Sequence, residues 1–71
     1  MLSINESNVS AFIGKSIRAE KYSEVLEGII RGRSDAVTVD KNLNVVHPIE
    51  IQIGTDIIAV VLDDDWKVTL N

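Results

Sequence analysis

Val25-Leu26-Glu27-Gly28-Ile29-Ile30-Arg31-Gly32-Arg33 is the stretch that decides the fold, because it scans both as helix and as strand. Read as helix, Tyr22, Val25, Leu26, Ile29 and Ile30 fall at i, i+3, i+4, i+7 and i+8, an amphipathic stripe. Gly28 lies inside that stripe, where it costs about 1 kcal/mol relative to alanine, and Gly32 stands near its end. Read as strands, Ile17, Ala19 and Lys21 alternate with Arg18, Glu20 and Tyr22. Ser23-Glu24 then turns, and Val25 to Arg33 returns as one long strand. Periodicity alone leans slightly to the helix.

On the N-terminal side, Ser3-Ile4-Asn5-Glu6 fits a capping box, with the Ser3 hydroxyl accepting from the Glu6 amide and Glu6 reaching back. Val9, Phe12 and Ile13 are spaced for one helical face. Gly14 supplies the left-handed position after the helix, and Lys15 places positive charge where the helix dipole favours it. The pattern predicts a short helix over residues 6–13.

On the C-terminal side the chain reads as β. Val37 and Val39 alternate with Thr38 and Asp40, and Lys41-Asn42-Leu43-Asn44 is a polar loop whose two asparagines tolerate positive φ. Ile49, Ile51 and Ile53 alternate with Glu50 and Gln52, and Gly54-Thr55-Asp56 breaks the run. Ile57 to Leu62 is continuous and largely β-branched, as in a strand buried on both faces or held in an interface. Asp63-Asp64-Asp65 turns, and Trp66 to Leu70 is a last short strand.

Composition sets outer bounds. The chain has 71 residues, a net charge of −4 and no cysteine. This is a single domain without disulfides or thiolate chemistry, and its lone histidine, His47, cannot build a multi-histidine metal centre. The longest apolar run, Ile57 to Leu62, is far short of the roughly 18 residues a bilayer span needs. The opening MLSINESNVS lacks the basic start and apolar core of a secretory signal. A soluble, cytoplasmic protein with no membrane partner is expected. A chain this short buries only about 60% of its unfolded surface. Yet 45% of it is hydrophobic, with only Phe12, Tyr22 and Trp66 aromatic. Small domains in that position gain stability by associating, so a subunit is expected rather than a free monomer.

The order of signals resembles the Sm/LSm family. Phe12-Ile13-Gly14-Lys15-Ser16-Ile17 is similar to that family's approach to its first strand. Glu27-Gly28-Ile29-Ile30-Arg31-Gly32 is similar to its second-strand Gly-x-Leu-x-Gly element. Ile53-Gly54-Thr55-Asp56-Ile57-Ile58-Ala59-Val60 is similar to its late Ile-Arg-Gly element. The match covers roughly residues 8–62 and tips 16–33 to strands. It implies an all-β, SH3-like small barrel of five strands behind a short helix, bent at Gly28, Gly32 and Gly54. The strands fall near 16–22, 25–33, 36–40, 45–53 and 57–62, with 66–70 as an extra C-terminal strand. A helix over Ala19–Arg31 would instead give an α+β domain, such as a small regulator or antitoxin.

The resemblance also implies a ring. In the family, the fourth strand of one subunit pairs with the fifth of the next, here the strand carrying Ile57 to Leu62, and a head-to-tail contact that closes gives about five to seven subunits. Its nucleotide pocket departs from the family pattern. Ser34 stands where Asp is usual, with Asp35 beside it; Val37 holds the base-stacking position, and Thr38 replaces an Asn. Ile53 stands where an Arg packs on a base. The Lys-His-Ala triplet of the bacterial RNA-chaperone branch is not in the sequence. The expected RNA or polyanion site is Arg33, Ser34, Asp35, Val37, Thr38, Ile53, Gly54 and Asp56.

Other residues read more plainly. His47 before Pro48 lies near no nucleophile or acid motif and is structural or solvated. The Asp63–Asp65 run lacks the alternation, glycine and terminal glutamate of a calcium loop, and reads as a solvated turn. Trp66 reads as core or interface. Arg31 and Arg33 would point the same way on a strand, with Lys15, Arg18 and Lys21 upstream, and these cations read as a solvated face in which Glu20, Glu24 and Glu27 are interleaved. No phosphate loop, nucleophile elbow, catalytic carboxylate pair or zinc spacing is present. Neither catalysis nor a cofactor is expected. The reading is a ring-forming, RNA- or polyanion-binding protein, with a protein-interaction or assembly module that binds no nucleic acid as the alternative.

Overall fold

A computed structural model describes residues 2–71. Among these residues the chain is mostly strand, and its one helix is a four-residue 3-10 turn, Val9–Phe12. The strands are β1 (Ser16–Lys21), β2 (Glu24–Arg33), β3 (Thr38–Val39), β4 (Val45–Val46), β5 (Ile49–Ile53), β6 (Asp56–Val60) and β7 (Lys67–Leu70). The deciding stretch is therefore extended. β2 runs ten residues and pairs antiparallel with β1 along its first half and with β5 along its second. The α+β alternative with a helix over 19–31 is overturned.

Five strands form one antiparallel sheet in the order β6-β5-β2-β1-β7, and β3 and β4 form a separate hairpin. Alternation along each strand sends Ile17, Ala19, Ile30, Ile49, Ile51 and Val68 to one face, where they are buried. Ile4, Ile17, Ile30, Ile49 and Ile51 are the largest fully buried side chains, each contributing about 1.5–3 kcal/mol. The other face carries Arg18, Glu20, Glu27 and Gln52.

The expected closed barrel is not formed: β6 and β7 are the two edges of an open sheet. The connector between them, residues 61–66, buries Leu62 and Trp66 in the core. Side chains plug the interior there in place of a β6–β7 ladder. Residues 67–70 are no appendage, since β7 pairs with β1 along its whole length.

The helix over 6–13 shrinks because asparagine side chains compete for backbone groups. The Asn5 carboxamide oxygen accepts from the Ser7 and Asn8 amides, and that of Asn8 accepts from the Asn5 amide at 2.8 Å. This reciprocal pair replaces the expected Ser3–Glu6 box. Val9 is buried, but Ile13 turns out to solvent. The expected strands 36–40 and 45–53 also change. The first contracts to β3. The second breaks at His47-Pro48, where proline offers no amide to a ladder, so that Val45–Val46 joins the hairpin and Ile49–Ile53 the sheet. The run Ile57–Leu62 is not buried on both faces. β6 is an edge strand, and Ile57 is 56% exposed. No helix among the described residues is long and apolar enough to cross a membrane.

Candidate functional site

The residues expected to form a nucleotide pocket fall into two groups. Arg33 ends β2 opposite Ile49, at the start of β5. Ser34 is buried: its amide donates to the Pro48 carbonyl, its hydroxyl accepts from the Ala36 amide, and its carbonyl accepts from His47. Asp35 and Val37 are exposed, and Thr38 pairs with Val46 in the hairpin. Ile53, Gly54 and Asp56 lie at the other end of β5, in its tight turn to β6. Ile49 and Ile53 are four steps apart along the strand, about 13 Å. The two groups do not meet within one chain.

A β-bulge between Ile30 and Gly32 breaks the ladder of β2 with β5. It interrupts the strict alternation that would aim Arg31 and Arg33 the same way. Both are exposed, and neither forms an ion pair among the described residues.

The remaining charges are more occupied. Arg18 lies 2.9 Å from Glu20 and 3.2 Å from Glu27 on the outer face. Its hydrogen bond to Glu20 raises the guanidinium and lowers the carboxyl below the usual range. Lys21 stands 5.4 Å from the centre of the Trp66 ring, which is itself buried.

The loop after β3 meets the turn after β6. Lys41 Nζ bonds Asp64 and lies 3.1 Å from Asp65, and those contacts push the lysine up and Asp64 down. The carboxylates of Asp63, Asp64 and Asp65 converge within 4.8 Å of one another, and a lysine supplies positive charge there. Asp40 organises the hairpin loop. Its carboxylate accepts from the Asn42 and Asn44 amides at 2.8 and 3.0 Å, and these bonds, Asn44 foremost, hold it below the usual carboxylate range. Leu43, not an asparagine, takes the positive φ of 65° and is 83% exposed.

His47 has a structural task. Its Nδ1 lies 2.9 Å from the Ser34 carbonyl and 3.1 Å from that of Ala36. Two acceptors require a donor, which places the proton on Nδ1. The ring staples the chain between β2 and the hairpin, and the His47 amide donates to Glu6.

The sequence implies open edges on strands 45–53 and 57–62; it does not place β7 as the edge opposite β6. Neither the outer side of β6 nor, apart from a single bridge between Leu2 and Val68, that of β7 has a strand partner among the described residues. No protein-family model, no curated protein and no solved structure matches this chain.

Proposed function

We propose that the protein is a non-catalytic, Sm-like assembly module that joins copies of itself head to tail, β6 of one subunit against β7 of the next, into a closed ring. One observation carries the reading. The main sheet is open, and its two edges are different strands, β6 and β7. The Sm/LSm resemblance implies the ring contact between strands 45–53 and 57–62; of these only the second, β6, is an edge, because β5 lies between β2 and β6, and β7 takes the other strand's place. Open edges left facing water invite pairing, and a contact between two different edges gives a ring when the rotation from copy to copy closes.

The absence of cysteine from the sequence provides the test. Ile57 on β6 and Thr69 on β7 both lie on the outer face and are exposed. A chain carrying Ile57→Cys and Thr69→Cys should oxidise to a ladder of linked subunits that ends at the ring number. Ile57→Cys alone should give little dimer. A ladder missing from the double variant, or a sedimentation profile of pure monomer at micromolar concentration, overturns the reading.

A second reading adds RNA or another polyanion as ligand. Arg31 and Arg33 favour it, because they are exposed without an ion-pair partner among the described residues. A ring would repeat them as a band that holds phosphates despite the net negative charge. Oligo-U and oligo-A titrated at several salt concentrations test it. Binding that falls with salt and is lost in Arg31→Gln with Arg33→Gln supports it; no binding ends it.

A further inference from the structure

Each open edge is bordered by an apolar surface. Beside β6 stands the β3–β4 hairpin. Val39 and Val45 face each other across it, 54% and 71% exposed. Val37, just before β3, is 58% exposed. The opposite side rests on the body, where Val46 shares a small cavity with Ile4, Ile49 and Leu62. Asp40 and Lys41 fix the loop from within and to the 63–65 turn. The three valines are therefore a presented surface on a two-stranded unit that has little stability of its own.

Between this hairpin and the end of β6 runs a cleft of about 700 Å³. Val37, Thr38 and Val39 line it on one side, and Ala59, Val60 and Val61 on the other. Successive strand residues point to opposite faces, so three consecutive residues share one cleft by presenting their strand's edge to it. The cleft is acidic: Glu24, Asp40, Asp63 and Asp65 line it. Of its two lysines, Lys41 is held by Asp64 and Asp65, and Lys21 by the Trp66 ring. Beside β7, at the other end of the sheet, the half-buried Leu2 and the 52% exposed Leu70 flank an apolar groove over the buried Val68, with Lys67 at its side. Lys67 is the one charged residue of β7.

We propose that the cleft receives the β7 edge of a second copy of this chain, with Lys67 of that copy entering the acidic walls and Val37, Val39 and Val45 closing over its Val68–Leu70 groove. The inference rests on the edge-to-edge reading and adds the hairpin as the arm that holds the incoming strand. Pairing β6 with a neighbour's β7 brings these two apolar surfaces, and these opposite charges, to the same place.

Sedimentation velocity on the full chain tests it, with circular dichroism and a thermal melt to confirm folding. Val39→Lys with Val45→Lys changes two exposed side chains and should weaken association at least tenfold. Lys67→Glu, an independent variant, should weaken it too, and high salt should recover part of that loss by screening like charges. If both variants are folded and assemble as the unaltered chain does, the hairpin has no part in assembly, and the edge-to-edge reading stands without it. If the unaltered chain is a monomer, both fail.

Discussion

Gly28 lies so close to Gln52 that a methyl group on its Cα would stand 2.5 Å from the Gln52 carbonyl oxygen. It would also stand 2.7 Å from Cγ2 of Ile51. The obstacle is partly backbone, which cannot swing aside as a side-chain tip can. Gly28→Ala should therefore push β2 from β5 and destabilise the chain by about 1–3 kcal/mol, as overpacking does. Urea melts would measure it, and an unchanged midpoint would mean that β2 and β5 do not approach this closely.

That glycine also marks how far the sequence could be read. Its place inside an apolar stripe argued against helix, and its need for room in a sheet is the physical reason. Strand alternation at Ile49, Ile51 and Ile53 was equally legible. Long-range placement was not. Lys41 meets Asp64 and Asp65 across more than twenty intervening residues, and no local pattern encodes such a contact. The expected site failed to converge for a similar reason. Short glycine elements aligned Ile53-Gly54 with a loop, but β5 runs straight between that turn and Arg33. At the N-terminus, Ser3 and Glu6 carried the expected capping pattern, yet the Asn5 and Asn8 carboxamide oxygens take the amides of Ser7, Asn8 and Asn5 instead.

Tyr22 is held at a φ of 54° in the turn between β1 and β2, and it is 86% exposed. A left-handed conformation costs a non-glycine residue roughly 1–2 kcal/mol. Glycine removes that strain and loses about 0.5–1 kcal/mol of it to chain entropy. Tyr22→Gly should raise stability by up to about 1.5 kcal/mol, read as a higher melting temperature. A lower one would mean that the tyrosine ring makes a stabilising contact.

Acid should loosen the hairpin before the sheet. Asp40 and Asp64 both have carboxyls lowered in the folded chain, the first by the Asn44 and Asn42 amides and the second by Lys41. Groups lowered by folding stabilise it above their ordinary pKa, about 4, and lose that contribution as pH falls through the lowered value. Lys41 is raised, so its contribution is present at neutral pH and fades only in strong alkali. Amide exchange at Asn42 and Asn44 should thus be slow at neutral pH and lose protection below about pH 4, while β1 and β2 stay protected. Asp40→Asn should show the loosened loop at neutral pH. Equal protection across this range would mean that the carboxylate does not organise the loop.

Leu2 meets Val68 in an isolated antiparallel bridge on the outer side of β7. If a neighbouring β6 pairs with that edge, it must use groups that Leu2 now occupies. The N-terminal segment then competes with assembly. A backbone hydrogen bond is worth about 1 kcal/mol net, so removing residues 1–3, which frees that edge but takes away one wall of the β7 groove, should tighten association by at most about fivefold. The same removal takes away a half-buried leucine that packs on the core, so each subunit should melt at a lower temperature. Opposite signs in the two measurements identify competition at one edge. If association weakens in step with stability, Leu2 supports the subunit without guarding β7, and the neighbour's strand binds elsewhere.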